Sequence, residues 1–87
     1  MSQEQGLGPT AREMLVWLAG KNPGEGQMNL AEVARWSGVP YGTIYHIHEK
    51  PDAGPREKTA RAIAEVYYPR KREAEEELKA FLERHAS

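Results

Sequence analysis

Leu30-Ala-Glu-Val-Ala-Arg-Trp-Ser-Gly-Val-Pro-Tyr-Gly-Thr-Ile-Tyr-His-Ile-His-Glu49 is the stretch on which the fold turns. Two helices that cross steeply need a small residue where they come closest, and Ala34 stands in the middle of the first one. The corner between them needs a residue that accepts positive φ, which Gly38 supplies because it has no Cβ. Val39 closes the corner. Ile44 and Ile47 are three apart, so they share a helix face and pack back onto Val33 and Ala34. Each of these positions has its own steric reason. Together they read as a helix-turn-helix, carried within a unit that spans residues 28–67.

On the N-terminal side, Thr10 followed by Glu13 matches a capping box. It predicts a helix over residues 9–19 with Ala11, Met14, Leu15 and Leu18 as one apolar stripe and Gly20 as its stop. Residues 20–27 read as a loop, longer than most helix-helix connections in small bundles. Gly24 and Gly26 flank a glutamate there, but no Gly-Lys-Ser/Thr ending and no strand accompany them, which excludes a phosphate-binding loop. Asn29, with Glu32 three residues on, opens a second helix that ends at Ser37. The third helix is expected over residues 40–48, followed by a loop over 49–54 rich in Pro, Asp and Gly.

Pro55 suits the first position of a fourth helix. Ala60, Ile63, Ala64 and Tyr67 then form a one-faced pattern, with Tyr68 as a partly exposed neighbour. Pro69 is expected to end or kink this helix. A last helix over residues 70–85 carries Ala74, Leu78, Phe81 and Leu82. No segment alternates with period two and none repeats. The expected fold is all-α, a compact bundle of about five helices. It divides into a flexible N-terminus (1–8), a helix-turn-helix domain (9–68) and a C-terminal helix (69–87) used for packing or dimerisation.

The 87 residues suffice for one domain. At this size a chain buries only about 60–65% of the surface it exposes when unfolded, so its core is thin. With no cysteine, disulfides and thiolate metal sites are excluded, and a reducing, cytoplasmic compartment is the expectation. No apolar run approaches the ~20 residues of a membrane span. Residues 1–8 lack the basic and apolar regions of a signal peptide.

The net charge is -1, whereas dedicated nucleic-acid binders are usually basic. The acidity lies mostly in the tail, at Glu73, Glu75, Glu76, Glu77 and Glu83, behind a basic block of Arg70, Lys71 and Arg72. Residues 28–68 are balanced, with Arg35, Lys50, Arg56, Lys58 and Arg61 against Glu32, Glu49, Asp52, Glu57 and Glu65. No nucleophile-base-orienter pattern and no cofactor motif is legible, so no enzymatic activity and no cofactor are expected. His46 and His48 sit two apart on a helix and diverge by about 200°, so they chelate one ion poorly; no metal site is expected.

The pattern Leu30-Ala…Ala34…Gly38-Val39…Thr43-Ile44…Ile47…Glu49 resembles the core of the lambda-repressor-like (Xre-like) family of DNA-binding domains. The resemblance runs on to Tyr67 when the following helix is counted as the family's fourth. A winged-helix unit is less similar, since it needs a β-hairpin where residues 55–67 read as helix. The resemblance implies that the second motif helix docks in the major groove of double-stranded DNA. It implies base contacts by Tyr41, Gly42, Tyr45 and His46, and phosphate contacts by Thr43, Lys50, Arg56, Lys58 and Arg35.

The chemistry suits those roles, because hydroxyls bond phosphate and histidine bonds a purine N7. Two departures stand out. The outward face carries neither Arg nor Lys, and Pro40 replaces the family's usual hydroxyl cap.

The expected activity is that of a sequence-specific transcriptional regulator, a repressor by type, working as a homodimer on half-sites about 34 Å apart. The alternative is the same fold used as a protein-interaction module, an inhibitor or anti-repressor that binds no DNA. The stripe Leu78, Phe81 and Leu82 must be covered either by folding back onto the first and fourth helices or by a two-fold contact. Trp17 and Trp36 fall just outside the apolar stripes, as core-edge packing or as an exposed patch for a protein partner.

Overall fold

The computed structural model describes residues 8–50, 52 and 54–86. Most of the expected flexible N-terminus (1–8) therefore lies outside the described residues, as does Ser87. Among the described residues four helices follow one another: α1 (Ala11–Leu18), α2 (Leu30–Ser37), α3 (Tyr41–Glu49) and α4 (Glu57–Ala86). No strand occurs among the described residues. None of the four helices is long and apolar enough to cross a membrane.

Local chemistry explains where the first two helices begin. Thr10 accepts from the Glu13 N–H at 3.1 Å, and the Glu13 carboxylate accepts from the Thr10 N–H at 2.8 Å. Asn29 and Glu32 form the same reciprocal pair at 2.8 and 3.0 Å. Each box satisfies two donors that a helix start otherwise leaves bare. α2 ends at Gly38, whose φ of 79° lies in the left-handed region and whose N–H donates to the Ala34 carbonyl. α3 begins after Pro40, which offers no side-chain cap.

The core forms where the stripes meet. Ala11, Met14, Leu15 and Leu18 of α1, Val33 of α2, Ile44 and Ile47 of α3, and Ile63 and Tyr67 of α4 make one buried cluster, joined by Val39 of the corner. Ala34, Ala60 and Ala64 pack against it half-buried. Both α1 and α2 lie against α3 and α4. Burying each Leu, Ile or Val side chain stabilises the fold by about 1.5–3 kcal/mol.

The long connection after α1 ends that helix. Gly20 is not itself a left-handed stop; α1 closes on Ala19 in the right-handed region. The loop then turns back over the helix end. Gly26 N–H donates to Trp17 O at 3.0 Å, Gln27 N–H to Gly20 O at 2.8 Å and Met28 N–H to Leu18 O at 2.8 Å. A Cβ on Gly26 would stand 2.5 Å from Leu18 O, so the approach needs glycine. Gly26 and Met28 thus supply donors to the Trp17 and Leu18 carbonyls at the end of α1.

The structure corrects the expected helix count. The fourth and fifth helices are one, and Pro69 lies inside it. Proline removes one intrahelical donor and clashes with the preceding turn, at a cost of about 3 kcal/mol. Here the ring is exposed, while Tyr67 before it and Ala74 after it are both buried. Arg70 adds a clamp. Its Nε donates to Gly26 O at 3.0 Å, and its terminal nitrogens meet Glu73 and Glu77 at 3.3 Å. Both flanks of the proline are thus held on the same globule.

α4 also starts later than expected, at Glu57. Pro55 stands outside it, and Arg56 O accepts from Ala60 N–H at 2.9 Å as its first turn closes.

Because α4 is continuous, its last apolar stripe does not turn back as a separate helix: Ala74 is buried, and cover decreases toward the end. Leu78 is half-buried beside Gly24, but Phe81 and Leu82 are exposed. The radius of gyration, 14.2 Å, exceeds the ~12 Å of a compact chain of this length. The last turns of α4 project from the globule.

Candidate nucleic-acid interface

α3 is amphipathic in the sense the sequence implies. Ile44 and Ile47 are buried, which turns Tyr41, Gly42, Tyr45 and His46 outward, and Thr43 is exposed beside them. Tyr41 and Tyr45, one helical turn apart, stack with ring centroids 6.2 Å apart and planes at 27°. Both side chains remain open to solvent, at 52% and 50% exposure. The pair presents an apolar face with two hydroxyls at its rim.

Gly42 sits between them in open space: a Cβ there would meet nothing within 4 Å. Packing within the fold therefore gives no reason for a glycine, although it weakens the helix by about 1 kcal/mol relative to alanine. Gly38 also has free space around it, but its positive φ accounts for it.

The far end of α3 is held from α1. Arg12 Nε donates to the His48 carbonyl at 3.2 Å. A cation there stabilises the helix C-terminus and meets a carbonyl that lacks an intrahelical donor. His48 turns its Nδ1 to the Glu49 carboxylate at 2.8 Å, so Glu49 is drawn along the helix end. His46 stays exposed.

An open groove lies between α3 and the start of α4, and it joins residues that are distant in sequence. Its walls are Thr43, His46 and Ile47 on one side and Gly54, Pro55, Arg56 and Thr59 on the other. Three expected site residues, Thr43, His46 and Arg56, thus meet in one place. Among the described residues no acidic side chain lines the groove. Thr59 was not singled out from the sequence, where its one signal is a hydroxyl in the first turn of a helix.

Lys50 follows α3 as its C-cap, Lys58 stands in the first turn of α4, and Arg35 stands in the last turn of α2; all three are exposed and outside this groove. Among the described residues no ion pair engages Arg35, Lys50, Arg56 or Lys58, whereas Arg61, Arg70 and Lys71 are paired with carboxylates.

A second surface has the opposite character. Trp36 is 71% exposed and borders a groove with Met28, Val66 and Pro69, rimmed by Glu32, Glu65, Glu73 and one cation, Arg70. Trp17 behaves differently. It is half-buried, meets Tyr67 edge-on at 5.4 Å, and has Lys71 Nζ 5.5 Å from its ring. The two tryptophans divide the alternatives: Trp17 packs at the core edge and Trp36 forms an exposed patch.

Comparison of the chain with family models, curated proteins and solved structures finds no match.

Proposed function

We propose that α2, the turn at residues 38–40 and α3 are a helix-turn-helix, and that the protein is a sequence-specific regulator binding double-stranded DNA through α3. The observation that carries this reading is the groove where Thr43, His46 and Arg56 converge with no acid among its described lining residues. α3 enters the major groove with Tyr41, Gly42, Tyr45 and His46 toward the bases. Gly42, free of any packing role, brings backbone close to the DNA. Thr43 and Arg56 reach the phosphate strand beside α3, with Lys50 and Lys58 flanking them and Arg35 at the end of α2. With no Arg or Lys on the reading face, affinity rests mainly on these flanking bases.

Selection from a random DNA pool, followed by binding across a salt series, tests this. Enrichment of a motif and a fall in affinity of about 0.9 log units per log unit of salt for each phosphate contact are expected. No enrichment together with a flat salt response would refute it.

The Trp36 groove favours a second reading, a module that binds another protein. Three glutamates outnumber the one cation, Arg70, that lines it, and its exposed indole is the kind of side chain that anchors protein interfaces. Changing Lys50, Arg56 and Lys58 together to glutamate leaves function intact on this reading and abolishes DNA binding on the first.

A further inference from the structure

We infer that the notch over Gly42, walled by Tyr45 and His46, receives the C5 methyl group of a thymine, so that thymine in an A·T pair is the base α3 selects; this rests on the DNA reading above. On a helix, residues three and four apart are neighbours, so the side chains beside Gly42 are those of Tyr45 and His46. All three residues are exposed. A Cβ built on Gly42 would meet nothing within 4 Å, so neither ring folds down over the glycine. Tyr45 instead stacks on Tyr41, with ring centroids 6.2 Å apart. What remains is a notch one methyl deep with an aromatic wall. Gly42 is the one glycine of α3, so the helix has a single such notch.

The chemistry of this face selects the occupant. In the major groove the thymine methyl is the one apolar group, and the other base edges offer hydrogen-bond donors and acceptors. An aromatic ring set against those edges takes water from them and returns no bond. Set against a methyl, the same ring buries apolar surface on both sides. Guanine is read most often by Arg or Lys, and α3 carries neither. Apart from its histidines, the one ionisable acid or base of α3 besides the tyrosines is Glu49, at the far end, where its carboxylate meets His48 Nδ1 at 2.8 Å. The hydrogen-bonding groups nearest the notch are the tyrosine hydroxyls and the His46 ring, which suit the thymine O4 and adenine N7 of the same base pair. Gly42 thereby has a role that packing within the fold does not give it.

The test uses a DNA duplex carrying the motif selected from the random pool, remade with uracil in place of each thymine in turn. Uracil differs from thymine only in lacking the methyl. At one position or more the change should weaken binding about fourfold, the effect of uncovering one methyl-sized group. Gly42→Ala fills the notch with the protein's own methyl, and Tyr45→Ser removes its wall. Each variant should bind the thymine and uracil duplexes alike, with the circular dichroism of the wild type. Uracil tolerated at every thymine overturns the inference and leaves DNA binding by α3 standing. So does a selected motif without thymine, and so does a thymine preference that persists in either variant. A protein that selects no DNA overturns the DNA reading and this inference together.

Discussion

Arg12 Nε donates to the carbonyl oxygen of His48 across 36 residues of sequence, and this bond ties the exposed helix α3 to α1. It fixes the end of α3 remote from the Gly38 corner, so α3 is anchored at both ends. Arg12→Ala removes a charge-assisted hydrogen bond worth about 1.5–3 kcal/mol. The expected result is a melting temperature lower by about 6 °C or more, at about 4–8 °C per kcal/mol in domains of this size. Thermal melting followed by circular dichroism checks it.

The two glycines of the α2–α3 unit separate fold from function. Gly38→Ala forces a side chain into the left-handed region and should destabilise by about 1–2 kcal/mol. Gly42→Ala meets open space and should stabilise by up to about 1 kcal/mol. The same variant should lose at least tenfold in DNA affinity, the equivalent of about 1.4 kcal/mol. Denaturant titration and binding assays on the pair measure both effects. A Gly42→Ala protein that is more stable and binds DNA unchanged would show that the glycine is merely tolerated.

Neutralising the flanking bases should act on the salt dependence more than on sequence preference. Lys50→Gln, Arg56→Gln and Lys58→Gln together should reduce the slope of log affinity against log salt by up to about 2.7, at ~0.9 for each phosphate no longer neutralised. The preferred DNA motif should stay the same, because phosphate contacts position the protein and base contacts specify the sequence. A titration at several salt concentrations with wild type and triple variant gives both quantities.

Pro69→Ala should stabilise the protein by as much as about 3 kcal/mol, since it restores a helical donor and removes the ring clash. The midpoint of urea unfolding should rise with little change in slope. A lower midpoint would mean that the proline ring, which borders the Trp36 groove, contributes packing that outweighs its backbone cost.

Much of this fold is written in short-range chemistry. Thr10 with Glu13 and Asn29 with Glu32 are caps whose partners lie three residues apart, so they are legible without knowing the path of the chain. Gly38 is likewise decided locally by its backbone angle. The stripes of α1, α3 and the first half of α4 follow from helical period alone, and their large members are the ones that become buried. The exposed face of α3, with Tyr41, Gly42, Tyr45 and His46, follows as the complement of Ile44 and Ile47.

The rest depended on which distant segments meet. Pro69 reads locally as a break, and continuity through it rests on Tyr67, Ala74 and the reach of Arg70 to Gly26, 44 residues away. That continuity carries Phe81 and Leu82 into solvent, a choice between packing and projection that their apolar character leaves open. Thr59 became a neighbour of Thr43 and His46 only when the start of α4 settled beside α3. Trp36 and Trp17 look alike in sequence, and only the position of α4 covered one and left the other in solvent. The sequence by itself determined the caps, the corner and the inward faces, because those interactions join residues within one turn of each other. Tertiary structure alone decided the helix count, the composition of the α3–α4 groove and the uncovered end of α4, because those depend on contacts between residues far apart in the chain.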